Sequence, residues 1–216
     1  MLAAIVAQVF ILSLGIGKKM SSLRKEKDNA KEKASGLLKK AGIYSHDSFC
    51  IFHPGARIFD RLESWRFAEL ADRIYEKYNL KILFTWAPGQ KELVDQIIPK
   101  IKTAPYALLS SSLQELGAIT LRAQFAVCHN GGYMHMVSVL GIPVVAMFGW
   151  ANPAIWKPIT DKSEVVYKNL ECSPCGSKTI KSECFVGDPE CKRLITVDDI
   201  ISAVKKVYFP PIITNG

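Results

Sequence analysis

The chain has 216 residues, 49% of them hydrophobic, 22% charged and 10% aromatic, with a formal net charge of +8. That length suits one globular domain, alone or with an appendage, and the aliphatic and aromatic content excludes a disordered chain. The charge is uneven, because Lys18 to Lys40 holds nine basic and three acidic residues while the rest is only mildly basic.

The first segment, MLAAIVAQVFILSLGIG (1–17), has no positive region before its apolar part and no small-x-small site after it, which argues against a cleaved signal peptide. It is at the short limit for a membrane span. The expectation is a buried helix ending at Gly15 or Gly17. Residues 18–42 read as a charged helix that turns amphipathic near Leu37, Leu38 and Ala41 and stops at Gly42. The basic run reads either as a solvated helix face or as a contact for an anionic surface, such as a phospholipid headgroup or a phosphorylated glycolipid. It carries no aromatic residue to stack on bases, so nucleic acid is not an expected partner.

From there the pattern alternates. Strands are expected at 48–55 (SFCIFHPG), 80–86, 106–111, 124–130 and 142–149. Helices are expected at 64–78, with Ser64 as N-cap, and at 91–101, 112–123 and 132–141. Near-continuous apolar strands separated by helices predict an α/β fold, a doubly wound parallel sheet covered on both faces. Ligands of such sheets bind at the carboxyl ends of the strands, near the switch in strand order. HPG (53–55), the loop after Trp86, HNGG (129–132) and FGW (148–150) all fall at those ends.

In HNGGYMHM (129–136), Gly131 and Gly132 sit where a strand hands over to a helix. Free N–H groups and the helix dipole favour an anion there, glycines let a ligand come close to the backbone, and His135 lies one turn along. The same residues would also suit a plain glycine-rich turn with a buried histidine. The spacing is neither G-x-G-x-x-G nor a Walker loop, which disfavours NAD and P-loop readings. After HPG, the loop ARIFDRLESW carries Arg57 and Arg61, read as anion clamps beside Gly55 or as solvated surface charges. Cys172, Cys175, Cys184 and Cys191 form C-x2-C-x8-C-x6-C in a polar stretch. A structural zinc site, two disulfides and free thiols all remain open. Cys50 and Cys128 lie inside strands and read as inert core residues.

Taken in order, IFHPGA, ESWRFAELA, SLQELGAITLRA, NGGYMHMVSVLGIPVVAMFG, CSPC with Cys184 and Cys191, and ITVDDIISAV resemble the C-terminal half of the family 9 glycosyltransferases, the heptosyltransferases of lipopolysaccharide core synthesis. The match runs from about residue 43 to 208, and more loosely from residue 14. The resemblance implies a Rossmann-like C-terminal domain of a GT-B enzyme. That domain would bind a nucleotide sugar of the ADP-heptose kind for inverting transfer to a glycolipid acceptor, with no metal or other cofactor needed for catalysis. It maps the family's diphosphate-binding Asp-(Ser/Thr)-Gly-Pro-x-His motif onto Asn130, Gly131, Gly132, Tyr133, Met134 and His135. Asn130, Gly131 and Tyr133 depart from it, as does Glu63, where a Lys is common. Donor binding is therefore assigned to Gly55, Arg57, Arg61, Asn130, Gly131, Gly132 and His135. The resemblance divides the chain into a helical remnant of an N-terminal domain with a basic linker (1–42), a donor-binding domain (43–208) containing the Cys-rich loop 170–192, and a tail (209–216). The catalytic base is expected in an N-terminal domain, and no residue here is assigned to it. The expected location is the cytoplasm, peripheral to the inner membrane through segment 18–40.

Overall fold

The computed structural model describes residues 20–56, with only the backbone for 20–28 and 30, and residues 61–175, 184, 187 and 189–208. The apolar segment 1–17, Arg57 and the tail 209–216 lie outside the described residues.

Six parallel strands form one sheet in the order β3-β2-β1-β4-β5-β6. They are β1 (Phe49–His53), β2 (Lys81–Thr85), β3 (Tyr106–Leu109), β4 (Ala126–His129), β5 (Val144–Phe148) and β6 (Ser163–Tyr167). The three central strands, β1, β4 and β5, are buried at every position. This is why they read as unbroken apolar runs: helices cover both faces. Alternate side chains feed two cores. Cys50 and Phe52 face a layer that includes α2 (Ser64–Tyr78) and α8 (Val197–Val207). Phe49 and Ile51 face α1 (Met20–Lys40), α4 (Leu113–Thr120) and α5 (Gly132–Val139). Short helices α3 (Lys91–Asp95), α6 (Pro153–Trp156) and α7 (Glu190–Arg193) complete the chain.

Local chemistry sets several boundaries. α1 ends in a Schellman motif, with Gly42 at φ +83°, its N–H on the Lys39 carbonyl and the Ile43 N–H on the Leu38 carbonyl. Leu38 and Ile43, both buried, supply the apolar contact that goes with that motif. The C-terminal part of α1 is thus built into the domain core, with Ala34 and Leu38 fully buried. α4 opens with a capping box between Ser112 and Glu115, and α8 with one between Thr196 and Asp199.

The structure corrects three expectations. The helix predicted over 91–101 is a five-residue α3 followed by a 3-10 turn at Ile98–Lys100; the ladder already tightens at Ile97, whose N–H bonds the Val94 carbonyl, and Pro99 has no N–H to restore it. The N-cap of α2 is Glu63 rather than Ser64, and no side chain caps it. The sixth strand, SEVVY, was not expected. It is a half-buried edge strand with polar residues at its start, and only its pairing with β5 reveals it.

Candidate nucleotide site

The order of the strands reverses between β1 and β4. β1 leads outward to β2 and β3, and β4 leads the other way to β5 and β6. Loops leaving the carboxyl ends of β1 and β4 therefore diverge and leave a crevice. HPG and HNGG flank that crevice, as expected.

At its floor, α5 begins at Gly132 with no side-chain cap, and Gly131 is extended (φ 168°, ψ −174°). The first-turn amides of such a helix have no intrahelical partner. A Cβ added to Gly131 or Gly132 would meet no atom within 4 Å, so the backbone faces open space. The turn is fixed from below by the Asn130 N–H, which donates to the Met147 carbonyl at 2.9 Å. His135 follows in the first turn, buried, and burial holds its ring below the usual histidine range. It is therefore neutral at pH 7 and can both donate and accept.

The remaining residues of HNGGYMHM point inward. His129 is 1% exposed, and its Nε2 accepts the Leu62 N–H at 3.0 Å. Burial, with the neighbouring His53 adding to it, pushes this histidine down to about 3. His53 bonds Thr85 Oγ1 through Nδ1 at 2.9 Å, stacks on Tyr133 with ring centres 4.4 Å apart, and is pushed down to about 4 by burial. The Thr120 hydroxyl donates to the Leu116 carbonyl, so the Tyr133 hydroxyl donates to Thr120 at 3.3 Å. Tyr133 thus braces the β1 and α4 walls. His53, His129, Thr85 and Tyr133 form one buried unit under the crevice. The sequence reading did not assign that unit; its visible signal was a histidine at the end of each of two apolar strands.

The wall from the β1 loop is described in part. Arg61 Nε donates to the Ala56 carbonyl at 2.8 Å, which anchors this guanidinium on the loop. A Cβ on Gly55 would meet the end of the Gln90 side chain from the loop after β2, so the two loops pack closely there. Glu63 pairs with Arg66, Nε to Oε2 at 3.0 Å. Arg66 is buried and also donates to the carbonyls of Ile195, Arg193 (2.7 Å) and Lys192 (3.5 Å). This staple was not anticipated. Three tryptophans follow carboxyl ends of strands: Trp65 opening α2, Trp86 after β2 and Trp150 after β5.

The cysteine segment joins the rim from the β5 side. The Ser173 hydroxyl donates to the Gly149 carbonyl at 2.8 Å, and the Cys175 N–H to the Trp150 carbonyl at 3.1 Å. Cys175 and Cys191 are buried, and no disulfide joins any of the six cysteines in the structure. Burial pushes the Cys191 thiol up to about 11, and Cys175, Cys184 and Cys172 add to the rise, so the four share one neighbourhood. Among the described residues, however, no three His, Cys, Asp or Glu side chains are placed to hold a metal ion. Cys50 and Cys128 are fully buried and raised by desolvation, as expected of core thiols.

Comparison with protein families matches residues 3–185 to the model of glycosyltransferase family 9 (heptosyltransferase). Among solved structures, a family 9 glycosyltransferase from Veillonella parvula shares 23% identity at a TM-score of 0.71, over 83% of this chain and 51% of that one. The E. coli ADP-heptose lipopolysaccharide heptosyltransferase II shares 18% at 0.67, again over 83% and 51%. The E. coli heptosyltransferase WaaC with ADP shares 18% at 0.51, over 61% and 41%. These likenesses show the fold, and the chain spans about half the length of the structures it matches. No curated protein matches.

Proposed function

Because the chain belongs to glycosyltransferase family 9, the heptosyltransferase family, we propose that it binds a nucleotide sugar of the ADP-heptose kind for inverting transfer to a lipopolysaccharide core acceptor. One observation carries this reading: the uncapped N-terminus of α5, open at Gly131 and Gly132, sits at the switch point with His135 in its first turn. The amides of that turn would hold the diphosphate, with Asn130 and Gly55 on the crevice walls and Arg61 closing from the β1 loop; Arg57, in the same sequence segment, is the second candidate anion clamp. Inverting displacement needs a base on the acceptor and charge stabilisation at the leaving diphosphate. The second need is what this helix terminus supplies. No carboxylate of the chain is assigned as the base.

A second reading is a nucleotide-sugar-binding module without activity of its own. Asn130 and Glu63, which depart from the family pattern, favour it. ADP binding tests the common ground, since ligand that binds only the folded state raises the melting temperature. His135→Ala should weaken ADP binding with the fold kept. A wild-type protein whose melting temperature ignores ADP and ADP-sugars would exclude both readings, and turnover of ADP-heptose by this chain would exclude the second.

Two subsidiary proposals accompany this reading. The four thiols are a donor set suited to structural zinc, to be checked as one equivalent of zinc per chain and a lower melting temperature after chelation. The exposed Lys31, Lys33, Lys39 and Lys40 of α1 suit an anionic membrane surface on the cytoplasmic side, where a glycolipid acceptor would lie. No helix among the described residues is long and apolar enough to cross a membrane.

A further inference from the structure

We infer that Arg66 is a positioning residue for the nucleotide site: it neutralises Glu63 and pins the loop that carries Arg61, so that the Glu63 carboxylate does not oppose a bound anion. This rests on the nucleotide-binding reading above.

Glu63 stands at the N-cap of α2 yet caps nothing. One residue before it, the Leu62 N–H is bonded to His129, which adjoins Asn130 and the open glycine turn. A carboxylate thus belongs to the segment tied directly to the proposed diphosphate cradle. Left unbalanced, it would repel the ligand, most strongly at low ionic strength. Arg66 prevents this by pairing with Glu63 at 3.0 Å. The guanidinium cannot follow a ligand into the crevice, because its other nitrogens are committed to the carbonyls of Lys192, Arg193 and Ile195 at the end of α7. Only the planar fork of an arginine meets a carboxylate and several carbonyls at once. Glu63 is consequently held by a cation anchored on the far side of the loop, while Leu62 is held by His129 and Arg61 by Ala56. The loop is fastened at three consecutive residues, Arg61, Leu62 and Glu63.

The test is calorimetric ADP binding to the full chain at about 10 mM and about 150 mM salt, which spans long and short screening lengths. The variants are Arg66→Met, Glu63→Gln, the double variant and Arg66→Lys. At low salt, Arg66→Met should weaken ADP binding roughly threefold to tenfold, the range set by one carboxylate acting through a medium between protein surface and water. The double variant should return to within about twofold of wild type, and high salt should shrink the difference. Arg66→Lys keeps the charge and loses the fork, so it should melt lower and bind ADP nearly as well as wild type. A purely structural arginine would give no rescue by Glu63→Gln. A folded Arg66→Met with unchanged affinity, or a double variant no better than Arg66→Met, overturns the inference and leaves the nucleotide reading standing. If Arg66→Met does not fold, Glu63→Gln alone decides: a neutralised Glu63 predicts less than a twofold change, and a clear tightening overturns the inference. Wild type that binds no ADP removes the nucleotide reading, and this inference with it.

Discussion

Mild acid should destabilise this domain well before its carboxylates titrate. His53 and His129 are held near 4 and 3, both primarily by burial, against 6.5 for a free histidine. Between the two limits the unfolded chain binds protons that the native chain refuses, so stability present above pH 6.5 falls as pH falls toward the native values. At pH 5 both rings remain neutral in the fold and nearly fully charged in the unfolded chain. The gap of about 1.5 pH units at about 1.4 kcal/mol each costs roughly 2 kcal/mol per ring, or about 4 kcal/mol for the pair. Against a typical total of about 5–15 kcal/mol, that is a large fraction. Urea unfolding at pH 7, 6 and 5 reads it directly. His129→Gln keeps an acceptor where Nε2 receives the Leu62 N–H and cannot titrate, so its slope should fall by about one proton. Stability that does not change from pH 7 to 5, or a His129→Gln slope equal to that of wild type, would refute the assignment of two buried neutral histidines.

Asp72→Ala should cost about 3 kcal/mol, since it strands the amides of Lys102, Thr103 and Ala104 that its carboxylate receives at 3.0, 2.8 and 2.9 Å; a loss below about 1 kcal/mol by urea titration contradicts that count. Burial alone would raise this carboxyl, but those bonds outweigh it and hold it below the usual carboxylate range, so its share of stability is present above the unfolded value and lost in stronger acid than the histidine step. Because Trp65, Trp86 and Trp150 follow the carboxyl ends of β1, β2 and β5, ADP should change intrinsic fluorescence in step with calorimetric binding; heat without a fluorescence change would place the ligand elsewhere. Tyr133→Phe removes one hydroxyl bond to Thr120 and keeps the stack on His53, so a loss near 1 kcal/mol is expected in thermal unfolding.

Periodicity and glycine placement carried the first five strands, most helices and the handover at Gly131–Gly132, because those signals are local. An apolar run between turn residues needs cover on both faces wherever it lies, and an uncapped glycine turn before a helix exposes its amides whatever surrounds it. β6 was not legible: its side chains are half-exposed, and what makes it a strand is the open edge of β5, a partner the segment itself does not encode. The break of the 91–101 helix was signalled by Pro99 but placed too late, since the α-ladder stops several residues before the ring.

The site divides the same way. Sequence alone determined the family pattern, the parallel architecture and the open helix terminus with His135 beside it. Tertiary structure decided which charges act there. Glu63 looks like an obstacle to an anion when read along the chain; its pairing with Arg66, three residues on, is local, and what folding adds is the clamp of that arginine on carbonyls more than a hundred residues away. His53 and His129 look like ordinary histidines in strands, and only their burial under Tyr133 and Phe67 makes them neutral fixtures of the floor. Electrostatic character depends on distance and desolvation, and both are set by contacts between segments that no local pattern brings together.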